Sequence, residues 1–224
     1  MHPEVLVEHI WKMKEATDKP WGINVPLLYP EIDRLMNIII QEGVKIVFTS
    51  AGSPKKWTPL LKSHGITVVH VISSALFAKK CEEAGVDAVV AEGFEAGGHN
   101  GREETTTLTL IPNVVESCSL PVIAAGGISS GKSVAAAMTL GAEGVQIGTR
   151  FAVAAESSAH PTFKQRVFDT EEGGTMLALK KLAPTRLIKN DFFNQVKALE
   201  DAGAEAAQLT ELLGKGRAKK GIFE

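Results

Sequence analysis

The sequence predicts an α/β chain folded as a (β/α)8 TIM barrel, present here only in part, with about six of the eight barrel strands. Three observations lead there. Short apolar runs recur along the chain, each followed by a stretch with helical spacing. Several runs are apolar throughout, as in Val122-Ile123-Ala124-Ala125, which suits parallel strands covered on both faces. The runs begin at residues 22, 44, 66, 86, 121 and 144, so four of the five intervals lie between 20 and 23 residues. Repeated βα alone allows a barrel or an open doubly wound sheet; the near-constant period favours the barrel.

The strands are expected at residues 22–27, 44–49, 66–72, 86–91, 121–125 and 144–148. Between them, Ile32, Leu35, Met36, Ile39 and Ile40 have helical spacing, as do Leu76, Lys80 and Ala84, and Val134 and Met138. Gly43, Gly65, Gly85 and Gly141 each stand just before a strand, where a helix takes a C-terminal cap. The first residues form an amphipathic helix with Leu6, Ile10 and Met13 on one face, interspersed with Glu4, Glu8 and Glu15; they do not resemble a signal peptide. A closed barrel needs eight strands, so the count of six places the missing ones before Met1. After Phe151 the one weak strand candidate is residues 175–179. The barrel core is expected over residues 1–155. A C-terminal helical segment, a possible lid, follows over residues 156–224, with helical patterns at 190–202 and 204–213 and a basic run at 215–220.

Composition excludes some functions. The net charge is −2, and there is no basic stripe of the kind that nucleic acid requires. No apolar run approaches the 18 or so residues of a membrane span. Cys81 and Cys118 have no metal-ligand spacing and read as free thiols of a cytoplasmic protein, and no metal site is expected.

The interval that breaks the period follows the strand at 86–91. Its extra residues form the loop Glu92-Gly93-Phe94-Glu95-Ala96-Gly97-Gly98-His99-Asn100-Gly101, continuing to Thr107. That places it at the C-terminal face, where barrel enzymes keep their chemistry. Gly97 and Gly98 leave the backbone free to hold the His99 imidazole over a ligand, and histidine accepts protons near neutral pH. A polar loop residue without a role is the competing reading of His99. Glu92 ends its strand and could face the site, whereas Glu95, Glu103 and Glu104 read as solvated or loop-bracing charges. His70 lies in a strand as a hydrogen-bonded barrel residue, and His160 before Pro161 belongs to a turn or lid.

Two later strands also end in glycine. Gly126-Gly127 precedes a helix from about Lys132, and Gln146-Ile147-Gly148-Thr149 ends the next strand. Glycines let backbone N–H groups approach an anion closely, so the pair forms a candidate phosphate cradle.

Three segments then carry a resemblance: Glu92-Gly93-Phe94-Glu95-Ala96-Gly97-Gly98-His99; Pro121-Val122-Ile123-Ala124-Ala125-Gly126-Gly127-Ile128; and Gly141-Ala142-Glu143-Gly144-Val145-Gln146-Ile147-Gly148-Thr149-Arg150-Phe151. Together with Gly22-Ile23-Asn24-Val25-Pro26 and His160-Pro161, they resemble the nitronate monooxygenase family, formerly 2-nitropropane dioxygenase. That family includes the flavin-dependent enoyl-acyl-carrier-protein reductase. The resemblance implies a barrel that binds FMN, with His99 as general base. It also implies flavin contacts from Asn24, Glu92, Gly97 and Gly98, and a phosphate and ribityl cradle from Gly126, Gly127, Gln146, Ile147, Gly148 and Thr149. Glu92 departs from the glutamine of many monooxygenases and matches the enoyl-reductase members. The resemblance further implies chain before Met1 and beyond Glu224, and a homodimer.

Two activities follow as expectations. One is oxidation of nitroalkanes and nitronates with O2. The other is reduction of an enoyl thioester, carried on acyl-carrier protein or coenzyme A, with NADH or NADPH. A flavin-free phosphate-binding isomerase or synthase, or an inactive fragment, would have the cradle without the redox chemistry.

Overall fold

The computed structural model describes residues 2–214. In chain order the first half comprises α1 (Pro3–Ala16), β1 (Gly22–Pro26), α2 (Ile32–Gln41), β2 (Ile46–Ser50), a short 3-10 turn, α3 (Thr58–Ser63), β3 (Thr67–Ile72), α4 (Ala75–Glu83) and β4 (Ala88–Glu92). The second half continues with β5 (Gly98–His99), α5 (Thr107–Val115), β6 (Val122–Ala125), α6 (Gly131–Thr139), β7 (Gly144–Gln146), α7 (Thr149–Ala152), α8 (Pro161–Phe168), β8 (Thr175–Ala178), β9 (Thr185–Ile188), α9 (Asp191–Asp201) and α10 (Ala206–Leu213).

Six strands make one parallel sheet in the order β1-β2-β3-β4-β6-β7. Each strand lies beside its predecessor, as in a barrel wound in one direction; a doubly wound sheet reverses its order partway. The two faces agree with this. Val47, Val68, Val89, Val122 and Ala124 pack with Leu35, Ile39, Leu61, Ala78, Ile111 and Ala137 from the helices. The residues that alternate with them, Val69, Val90 and Ala125, cluster only with other strand residues, Phe48, Val71, Ala88 and Ile123. Helices therefore cover one face, and the other is the concave inner face of a half-barrel.

Helix ends follow the chemistry of their residues. Gly43, Gly65, Gly85 and Gly141 have φ of 68°, 69°, 77° and 98°, the left-handed conformation that closes a helix without a Cβ clash. Ser130 caps α6 in a reciprocal pair with Ser133. The buried side of α4 differs from the helical spacing read from sequence: Ala78 and Cys81 are buried, whereas Leu76, in the first turn, is 61% exposed. Met13 and Met138 are likewise exposed beside buried Ile10 and Ala137. Both cysteines are free; burial, reinforced by nearby Cys118, pushes the Cys81 thiol up to about 12. No helix among the described residues is long and apolar enough to cross a membrane.

His70 is buried on the helix-covered side of the sheet. Its Nδ1 lies 2.7 Å from Thr49 Oγ1, and the ring also bonds to the Gly52 backbone. Burial holds its pKa down, to about 4, against the opposing pull of that backbone contact. The folded value lies below the ordinary 6.5, so the contribution to stability is intact above pH 6.5 and is lost as pH falls toward 4. The loss amounts to about 3 kcal/mol. Urea denaturation at pH 7 and at pH 4.5 should show this drop in the wild type. In His70→Asn, which keeps an acceptor for Thr49 but does not titrate, the drop should be smaller by most of that amount.

Beyond residue 156 the chain is not helical throughout. The segment at Thr175–Ala178 is a strand, but it does not complete the barrel sheet. It pairs antiparallel with β9, which in turn pairs with β5, giving a second sheet in the order β5-β9-β8. Ala178, Leu179, Phe192, Phe193, Val196 and Leu209 form a separate small core behind it. The basic run at 215–220 lies outside the described residues.

Candidate active site

The parallel strands end in one row across the sheet: Glu92 is in register with Ala125, and Ala125 with Gln146. Side chains alternate along a strand, so Glu92, Val90 and Ala88 share the inner face, as do Gln146 and Gly144. Glu92 thus ends its strand inside the half-barrel. Burial raises its pKa above the ordinary carboxylate value. A crevice with no room for a water molecule adjoins it, lined also by Ser73, Phe94, Gly101, Glu103, Glu104 and Thr105.

One strand further, the chain turns through Gly126 and Gly127, with φ of 97° and 67°. Only glycine fits the first of these. A Cβ there would lie 2.7 Å from the Gly93 carbonyl oxygen and 2.9 Å from Thr107 Oγ1. This tight packing joins the enlarged loop to the glycine turn. Gly93 N donates to Ala125 O at 2.9 Å, and Thr107 Oγ1 lies 2.9 Å from Gly126 O. The Glu95 carboxylate accepts from Thr107 N at 2.9 Å and from its hydroxyl at 2.8 Å, bracing the start of α5 as a loop charge should. Among the described residues, the N–H groups of Gly127, Ile128, Gly148 and Thr149 take no protein acceptor. Two adjacent strand ends therefore present free donors on one face, which fits an anion such as a phosphate.

The histidine loop reaches this cradle. A Cβ built on exposed Gly97 would lie 3.9 Å from Thr149 Oγ1. Two residues on, His99 is exposed and held as part of β5, with Gly98 opposite Arg186 and His99 opposite Thr185. The Asn100 side chain donates to Ala96 O at 2.8 Å and Gly98 O at 3.2 Å, clamping the residues that flank Gly97. Two non-glycine residues with left-handed backbone, Ala51 and Glu104, lie in loops at the same C-terminal face; such conformations cost about 1–3 kcal/mol each and gather at functional sites.

Of the residues singled out from sequence, Glu92, Gly97, Gly98, Gly126, Gly127 and the stretch Gln146, Ile147, Gly148 and Thr149 come together around the ends of β4, β6 and β7. Gln146 lies on the inner side and Gly148 caps the start of α7, whereas Ile147 packs with the helix-covered core. Asn24 is exposed on β1, the opposite edge strand, beside Phe48 of β2. His160 caps α8, accepting from Thr162 N. Sequence reasoning missed Asn100, Arg102 and Arg186. Arg102 and Arg186 bond to distant segments, which no local pattern marks, whereas the Asn100 side chain bonds within its own loop. Thr106-Thr107 before an apolar helical run was a readable helix start. Among the described residues no group of His, Cys, Asp and Glu could hold a metal ion.

Comparison with known proteins places the arrangement. The family model described as nitronate monooxygenase matches residues 29–222. A probable nitronate monooxygenase of Staphylococcus saprophyticus is 34% identical, over 96% of this chain and 66% of its own length. A (3aS,4S,5R,7aS)-5-hydroxy-7a-methyl-1-oxo-octahydro-1H-indene-4-carboxyl-CoA dehydrogenase of Rhodococcus jostii is 33% identical, over 84% of this chain and 53% of its own. Among solved structures, FabK of Thermotoga maritima superposes with a TM-score of 0.86 at 41% identity, covering 89% of this chain and 64% of FabK. The chain thus spans between about half and two thirds of the length of these relatives. With the family model matched over most of its residues, the chain belongs to the nitronate monooxygenase family.

Proposed function

We propose that the chain forms the flavin-binding core of an oxidoreductase that oxidises nitroalkanes and their nitronates with O2, with His99 as general base. The observation that carries this reading is the placement of His99. It is an exposed imidazole on a backbone fixed by strand pairing, two residues from a glycine that abuts the anion cradle. The donors of that cradle fit the phosphate of FMN. Gly126, Gly127, Gln146, Ile147, Gly148 and Thr149 would hold the phosphate and ribityl chain, and Asn24, Glu92, Gly97 and Gly98 would contact the ring. FMN supplies the redox chemistry when bound, while the protein supplies position, a base and a shaped pocket. A neutral imidazole at His99 takes the proton from the carbon bearing the nitro group. Burial raises the pKa of Glu92, which favours its neutral form more than at an ordinary glutamate.

A test of the cradle uses Gly148. A Cβ there would meet no protein atom within 4 Å, so the fold does not need this glycine. Gly148→Ala should leave the unfolding midpoint of flavin-free protein nearly unchanged and weaken FMN binding about tenfold or more, as read from quenching of FMN fluorescence. An unchanged affinity would remove Gly148 from the cradle.

Glu92 also favours a second reading, reduction of an enoyl thioester by NADH or NADPH. The Glu92 carboxyl stands at the inner end of β4, where burial favours the neutral form that would donate to a thioester carbonyl, and one relative carries a coenzyme A thioester in its name. Rapid mixing of the FMN-loaded protein with NADH separates the two. Indifference of the flavin absorbance supports the nitroalkane reading, and fast bleaching supports the reductase.

A further inference from the structure

The loop that carries His99 is held from outside the barrel, and most of its holders come from the C-terminal hairpin of β8 and β9. Arg186 donates from Nε and Nη2 to the Phe94 carbonyl oxygen at 3.2 and 3.0 Å, and its guanidinium stands 4.6 Å from the centre of the Phe94 ring. Its Nη1 lies 3.4 Å from Thr175 Oγ1 on β8, so one planar group ties both hairpin strands to the start of the loop. Around it, Asn100 N donates to Pro184 O at 2.8 Å, Arg102 donates to Leu182 O at 2.8 Å, and Lys180 pairs with Glu104.

We propose that Arg186 is a positioning residue for the histidine loop: it fixes the Phe94 carbonyl, and through the short turn that follows it sets where Gly97 and His99 stand. Phe94 N already donates to Thr105 O, and Ala96 N closes a turn onto Gly93 O at 3.0 Å. Phe94 is therefore held on both sides, and its carbonyl is the one anchor in this stretch supplied by a side chain of the hairpin. The choice of residue is physical. Arginine presents two parallel donors to one oxygen while its flat face lies against an aromatic ring, and lysine can do only one of these at a time. Removing the guanidinium leaves a half-buried carbonyl without this partner and frees the loop between Gly93 and Asn100.

This inference rests on the proposed role of His99, and its test separates the two. Hydrogen exchange of flavin-free R186A and R186K is followed by mass spectrometry, alongside FMN binding and nitroalkane turnover. In R186A, peptides over residues 93–101 should exchange about tenfold faster or more, with β2, β3 and β6 unchanged. Turnover of a neutral nitroalkane at saturating FMN should fall about 100-fold in kcat. R186K should recover part of both. Loop exchange within about twofold of wild type overturns the proposal. So does acceleration spread evenly over the chain, which would make Arg186 a general stability residue, and so does a freed loop with undiminished kcat. If R186A does not fold, R186K decides by the same local criterion. A wild type inactive on nitroalkanes would overturn the His99 reading instead, and the exchange data, taken without substrate or flavin, would still decide whether Arg186 orders the loop.

Discussion

His99→Asn should lower turnover of a neutral nitroalkane by about 10²–10⁴-fold, the range expected when a positioned general base is removed, while sparing turnover of pre-formed nitronate. Asparagine retains polarity and a similar reach but cannot take a proton. The pairing of His99 with Thr185 runs through the backbone, so the substitution leaves the strand in place. A neutral nitroalkane must lose a carbon-bound proton before it can be oxidised; a nitronate has already lost it. Steady-state rates with the two forms of one substrate therefore isolate the proton step. Equal losses on both would mean that His99 binds or orients rather than acts as base.

Gly126→Val should strongly damage the fold at this site. The residue has φ of 97°, a conformation that a β-branched residue adopts only with strain of about 1–3 kcal/mol. Its Cβ would also stand 2.7 Å from Gly93 O and 3.0 Å from Gly93 N, and backbone atoms cannot rotate aside as a side chain can. Forcing the turn open would pull Gly93 from Ala125 O and Thr107 from Gly126 O together. The combined cost should reach about 3 kcal/mol or more, a large share of an ordinary stability of about 5–15 kcal/mol. Urea denaturation of flavin-free protein checks this. A midpoint close to wild type would show that the loop and the glycine turn are not packed as described. The contrast with Gly148→Ala separates glycine needed by the fold from glycine needed by a ligand.

The parts of this fold that were readable in the sequence are those set by local chemistry. Strands covered on both faces are apolar at most positions, so the runs around Val47, Val68, Val89 and Ala124 stand out. The capping glycines before them occupy left-handed positions. Loop enlargement showed as a broken period, and the turns after β6 and β7 as glycines at the strand ends. The antiparallel sheet was hidden. One of its strands is the two-residue Gly98–His99, and its partner β9 is half-buried along its length, so neither has a periodic pattern. The contact of Arg186 with Phe94 joins residues 92 positions apart, which no local rule encodes. The spacing of Leu76, Lys80 and Ala84 marked α4 as a helix without giving its inward side: its first turn, with Leu76, stands clear of the core and Ala78 and Cys81 reach it.

The most direct test of the account is titration of the purified protein with FMN, followed by visible absorption and flavin fluorescence. Saturable binding of one FMN per chain is expected, with quenched fluorescence and shifted bands in the blue and near ultraviolet, weakened about tenfold or more in Gly148→Ala. Protein that stays colourless, and leaves the spectrum and fluorescence of added FMN unaltered, would contradict it and favour a cradle that serves some other phosphate.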